Sequence, residues 1–363
     1  MQSFYFIGTH KGITKTDHYC HGFGGDLAQS ITEEELLKIC EKSVVPHLLV
    51  DETVVIQQID LLKTLIENQK IEHLIIFNNH PFDISKETME QLNILAKVNK
   101  ITIIVHGYYD QPYNNIKLYH LDWQVYKMCD SNTVYLLSQI LKKKRFPKYS
   151  FILQVVFKDE FRKTVGKYLK NLPIWEDIIH PPFTTSQTMA IKTKNFLDKI
   201  KQHRATPEQT KTLESMGAGL PNFKLYEQAF CEIVLETQNE GSWHFSEKTF
   251  RPVALGIPIV HLGHKPIYDR FIDYGYQIYD NNFYSQWHSN IDLQEKLLCL
   301  KDFLNHIKND QLARNKMERI AEYNHQHFWK HQKNLHIKNT QKMFDDIWGE
   351  DLLLYKIYEQ LNF

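Results

Sequence analysis

The sequence predicts an α/β protein of two successive Rossmann-like domains, each a doubly wound parallel sheet, followed by a helical C-terminus. Three observations predict it. The 363 residues exceed what one ordinary core holds and suit two domains. Apolar runs of strand length alternate with amphipathic stretches of helical period, first to about residue 147 and again from 148. Hydrophobic residues make up 42% and charged residues 24%, the balance of a globular protein.

In the first half, residues 3–8 read as a strand. Residues 32–42 read as a helix whose opening, Thr32-Glu33-Glu34-Glu35, has the capping-box pattern. A second helix follows over 54–68, then a strand over 71–77, a helix over 85–97, a strand over 101–105 and a short one over 116–119. A long helix over 122–143 ends in the basic run Lys142-Lys143-Lys144-Arg145. Phe146-Pro147 then reads as a hinge, because proline disfavours helix just before it.

The second alternation begins with a strand over 150–157 and a helix over 160–169. Pro181-Pro182 marks a loop, 187–202 a helix, and 205–221 a polar, glycine-bearing stretch. A strand over 229–236 and a helix over 247–255 follow, with Gly256 placed to end the helix. A strand over 257–262, a helix over 266–274 and a strand over 276–279 complete the pattern, and the chain is helical from Asp292. The expected domains are 1–147, 148–325 and a helical 326–363 returning to the first. Parallel sheets bind ligands outside their carboxyl ends, so the strand-end loops are the candidate walls of a cleft.

Composition excludes several functions. Lys+Arg and Asp+Glu stand at 43 each, without the basic excess that marks a nucleic-acid partner. The N-terminus, Met1-Gln2-Ser3-Phe4-Tyr5-Phe6, lacks the basic start of a signal peptide, and no apolar run reaches the length of about eighteen that a membrane span needs. Five scattered cysteines, with no CxxC pair, read as reduced thiols of a cytoplasmic protein. His18, Cys20 and His21 lack a fourth ligand, and His327 with His331 lacks the glutamate of a HExxH site. Asp345-Asp346 falls inside a predicted helix rather than at a strand end. No metal and no cofactor are therefore expected. Trp329, Phe344 and Trp348, near helical spacing, read as packing residues, with peripheral membrane contact as the alternative.

The most informative stretch is 230–263, FCEIVLETQNEGSWHFSEKTFRPVALGIPIVHLG. A strand ends at Glu236-Thr237, and after a polar loop Ser246-Glu247-Lys248 opens a helix. Read alone, this is an ordinary helix start, with Ser246 as N-cap and Glu247 in the first turn. Such a start also presents free N–H groups and partial positive charge to a diphosphate, and Lys248 adds a full charge.

The string E-T-(loop)-F-S-E-K-T-F-R-P-(x3)-G-x-P-I-V-x-L-G, with Tyr274-Gly275-Tyr276 after it, resembles the donor-binding half of GT-B glycosyltransferases of the fucosyltransferase-like and exostosin-like group. The resemblance covers 150–281. It implies two Rossmann-like domains facing an interdomain cleft, a nucleotide diphosphate sugar as donor substrate, a glycan or lipid-linked glycan as acceptor, and metal-independent transfer. Glu247 and Lys248 match the motif residues that contact donor sugar and diphosphate, with Ser246 and Thr249 beside them. Glu236 matches the acid at the preceding strand end. Arg162 matches the basic residue of an earlier loop, although Phe161-Arg162 stands where the family often has His-Arg.

An inverting transfer needs a base at the acceptor hydroxyl. His80 and His106 lie at predicted strand ends, and Asp26 stands beside a Gly-Gly turn that permits close approach. These are the candidate bases. A retaining enzyme needs none of them there. Two rival readings use the same architecture: a nucleotide-sugar 2-epimerase, which needs no acceptor, and a non-catalytic glycan-binding protein on a degenerate transferase fold.

Overall fold

The structure is a computed structural model that describes residues 4–7, 29–78, 84–105, 107–109, 112–120, 134–135, 138–139, 141–142, 145–154, 160–180, 223–236, 242–243, 245, 247–279, 281–289 and 291–348. It is an α/β protein with two parallel sheets and a helical C-terminus. Two compact units divide the chain: Met1–Asp122 with Asn239–His244 and Asn339–Phe363, and Trp123–Gln238 with Phe245–Lys338.

The first unit holds a six-stranded sheet in the order Gln29–Ser30, Phe4–Ile7, Val45–Asp51, Ile71–Asn78, Lys100–Val105, Lys117–His120. Neighbouring strands are parallel, with registers such as Val50↔Ile76 and Ile76↔Ile103. Ile71–Asn78 is buried at every residue except Glu72, the signature of a parallel strand covered on both faces. Its Leu74, Ile75 and Ile76 have no exposed surface, and burying each such side chain contributes about 1.5–3 kcal/mol. Connecting helices start where side chains can cap them. Thr32 forms the predicted capping box with Glu35, Asp51 accepts from the Val54 N–H, and Ser85 accepts from that of Thr88.

Val45–Asp51 is a central strand that the sequence reading lacked. Pro46 reads as a breaker, yet it stands at the second residue. Pairing with Phe4–Ile7 starts only at His47, so the missing N–H falls outside that ladder. Within the same unit, Asp346 of the Lys333–Trp348 helix accepts from the Tyr119 hydroxyl at 2.8 Å and lies 3.2 Å from the Lys117 ammonium. Ser242–Trp243 pairs antiparallel with Tyr108–Tyr109.

The second unit holds a four-stranded parallel sheet in the order Ile259–Leu262, Ala229–Leu235, Tyr149–Ile152, Ile178–Ile179. All seven residues of Ala229–Leu235 are buried. The segment around Pro147 is tied to the start of that strand. Phe146 N–H donates to Glu227 O and Lys148 N–H to Gln228 O, while Arg145 Nε donates to Ala229 O at 3.1 Å.

Helices Asn281–Trp287, Leu293–Asn309 and Gln311–His327 pack around this core through Phe283, Trp287, Leu300, Leu304 and Met317. The strand expected over 276–279 is a correction: the segment is irregular backbone. Asn324 takes the place of a neighbouring strand by accepting from the Gln277 N–H and donating to the Gln277 carbonyl, both at 2.8 Å. Trp329 is a packing residue, its indole N–H donating to Ala254 O at 3.0 Å. No helix among the described residues is long and apolar enough to cross a membrane.

Candidate functional site

Arg162, Glu236, Lys248 and Thr249 come together at the carboxyl edge of the four-stranded sheet. Ala229–Leu235 and Ile259–Leu262 run parallel in the register Leu235↔Leu262, and Glu236 N–H donates to Leu262 O at 3.1 Å. Glu236 and Gly263 therefore stand side by side just past the strand ends, where open parallel sheets present ligand sites.

The helix Glu247–Leu255 has the bounds that the sequence predicted. Phe245 and Phe250 fix its entry, both fully buried with ring centroids 4.9 Å apart. Their spacing is that of a hydrophobic staple around a helix starting at Glu247. Gly256 ends the helix at φ +71°, the left-handed conformation that glycine adopts without strain.

Thr249 and Glu236 join helix to strand. The Thr249 hydroxyl donates to Glu236 Oε1, and both residues are 0% exposed. With its proton given to Glu236, the Thr249 oxygen accepts from His261 Nε2 at 3.1 Å, making a chain His261 to Thr249 to Glu236. Burial holds the His261 imidazole below its ordinary pKa, against the pull of Glu236, so the neutral ring is the donor. A Cβ on Gly263 would lie 2.7 Å from His261 Cε1 and 3.3 Å from Glu236 Cβ, so only glycine fits here.

A second buried group lies deeper under the helix. Arg251 Nη2 is 2.7 Å from Glu232 Oε1 and its Nε donates to the Tyr226 hydroxyl at 2.6 Å, while that hydroxyl donates to Glu232 Oε2 at 2.5 Å. Burial pushes the Glu232 carboxyl above its ordinary pKa, opposed by Arg251, Tyr226 and Lys248. Lys248, in the first turn of the helix and partly exposed, is thus within electrostatic reach of Glu232. Arg162, on the helix Glu160–Lys170, is 6% exposed, and its Nε donates to Leu235 O at 3.2 Å.

The structure therefore brings Arg162, Glu236, Lys248 and Thr249 to one strand-end region of the second unit. Glu236 and Thr249 were expected to face the donor, and both are fully buried against each other. Their geometry suits holding the helix start over the strand end. Ser246 lies outside the described residues, as does the side chain of Glu247. Asp26, His80 and His106 lie outside them too. Sequence reasoning missed His261, Gly263, Arg251, Glu232 and Tyr226. The first two occupy the last x-L-G of the motif string and Arg251 its F-R-P, while Glu232 and Tyr226 pair with Arg251 across strand and helix and leave no spacing signal.

This arrangement can hold an anion by a helix start and a lysine, on a base locked by buried hydrogen bonds. No protein-family model matches this chain, and no curated protein matches it.

Proposed function

We propose that this chain is a GT-B glycosyltransferase that moves a monosaccharide from a nucleotide diphosphate sugar to a glycan or glycoconjugate acceptor. The observation that carries the reading is the placement of Lys248. It stands in the first turn of a nine-residue helix that begins at the carboxyl edge of a parallel sheet. A departing nucleoside diphosphate needs fixed positive charge as its bond to the sugar breaks, and a helix start with an ammonium beside it supplies that charge.

In this reading Lys248 and the helix start meet the diphosphate, and Glu247 meets donor hydroxyls. Arg162 adds positive charge from behind the strand end. Glu236, Thr249 and His261 act as positioning residues that keep the helix start in place. Asp26, His80 and His106 remain the candidate bases on the acceptor side.

The test incubates the full chain with UDP-, GDP-, CDP- and dTDP-linked sugars, with and without glycan acceptors. Nucleoside diphosphate release that depends on an acceptor supports the proposal. Conversion of the donor without any acceptor would replace it with epimerase chemistry, and inertness toward every donor class would remove it.

A further inference from the structure

A hollow of about 560 Å³ opens in the second unit, lined on its apolar side by Ile272, Tyr276, Ile278 and Ile320 and on its polar side by Gln277, Lys316 and Arg319. Its volume falls within the range of roughly 300–1,000 Å³ of small-ligand sites. Lys316 and Arg319 stand one turn apart on the helix Gln311–His327, both exposed. Neither has a carboxylate partner among the described residues, and Lys316 meets the Tyr279 ring at 5.4 Å. Glu322 of the same helix pairs with Lys142 at 2.8 Å, and Asp273 lies 4.0 Å from Arg270.

The surround is apolar and open to water. Leu312 is 77% exposed, Ile272 44% and Tyr323 42%. Leu312, Lys316, Arg319 and Tyr323 recur at spacings of four, three and four, so they form one stripe along the helix. Two cations without a carboxylate partner among the described residues call for an anion, and the exposed Leu312 and Ile272 side chains with the Tyr323 ring call for hydrocarbon. A free phosphate would satisfy the first and leave the second in water. Because positive and negative residues balance at 43 each over the chain, attraction to an anionic surface has to be local.

We propose that this face docks on an anionic phospholipid surface. One lipid phosphate sits against Lys316 and Arg319, and its adjoining hydrocarbon enters the hollow beside Ile272, Ile278 and Ile320. Leu312 and Tyr323 reach the interfacial layer, as apolar and tyrosine side chains do on membrane-surface helices. The inference does not depend on the transferase reading.

The test is co-sedimentation of the full chain with phosphatidylcholine vesicles made with and without phosphatidylglycerol. The native chain is expected to sediment with the anionic vesicles and to stay in solution with the neutral ones. Lys316→Ala and Arg319→Ala should each weaken partitioning about fivefold, and the double variant roughly thirtyfold. Ile272→Ser with Leu312→Ser should weaken it as well, and all these exposed changes should leave the melting temperature in place. Three results would overturn the proposal: a native chain that ignores anionic vesicles, variants that sediment like the native chain, or full displacement by inorganic phosphate or an acidic peptide at matched ionic strength.

Discussion

Arg251 on the helix Glu247–Leu255 and Glu232 on the strand Ala229–Leu235 form an ion pair at 2.7 Å, with side chains 4% and 1% exposed. The helix start that carries Lys248 is therefore fixed from beneath by a charge pair out of reach of water. Breaking such a pair by removing one partner costs about 3–5 kcal/mol, because the other charge stays buried and unpaired. Arg251→Met and Glu232→Gln are each expected to lose stability in that range in chemical denaturation. The double variant should lose less than the sum of the two. Single losses below about 1 kcal/mol would mean that the pair is not buried as described.

Thr249 makes a finer prediction, since its hydroxyl serves both Glu236 and His261. Thr249→Val keeps the shape and removes one buried hydrogen bond to the Glu236 carboxylate, at a cost of about 1–3 kcal/mol. Thr249→Ser keeps the hydroxyl and should recover most of that. Equal stability of the two variants in denaturant titration would show that the hydrogen bond contributes nothing.

Gly263 tests the closeness of the same cluster. Gly263→Ala places a methyl 2.7 Å from the His261 ring, which is itself 4% exposed and has no room to retreat. Overpacking of this kind costs about 1–3 kcal/mol. A melting temperature equal to the native one would show slack that the structure does not contain.

The first unit carries a separate acid sensitivity. His73 is 2% exposed, its Nε2 lies 2.9 Å from the Thr102 hydroxyl, and its Nδ1 lies 3.2 Å from that of His47. Burial, then Lys100, His47 and Lys117, bring its pKa down from 6.5 to about 3. Below 6.5 the unfolded chain binds a proton that the fold refuses. This contribution is whole above 6.5 and is lost as pH falls toward 3, at no more than about 1.4 kcal/mol per pH unit. Stability measured between pH 7 and 4 should fall accordingly. His73→Leu with Thr102→Val removes both polar partners and should flatten that limb. A variant with an unchanged slope would assign the acid loss to other groups.

What the sequence made legible was local. The start of the helix at Glu247, its end at Gly256 and the capping box at Thr32 are each set by residues within a turn of the boundary, and all three stand in the structure. Strands such as Ile71–Asn78 announced themselves by short apolar runs, here Leu74–Phe77. Val45–Asp51 stayed hidden because Pro46 imitates a breaker, and the false strand over 276–279 had the right composition but a side chain, Asn324, as its only strand-like partner among the described residues. At the candidate site, Lys248 and Glu236 were visible through a string of neighbours. The locks beneath them, Arg251 with Glu232 and His261 with Thr249, join residues far apart in sequence and depend on register, which composition does not encode.

The central claim is that Lys248 meets the diphosphate of a sugar nucleotide. Calorimetric titration of UDP, GDP, CDP and dTDP into the native chain and into Lys248→Ala tests it most directly. The account predicts that at least one of the four binds the native chain, and that the variant, folded with the native melting temperature, binds it about ten- to a hundredfold more weakly. Equal affinity for both proteins, or no binding of any nucleotide by the native chain, would contradict it.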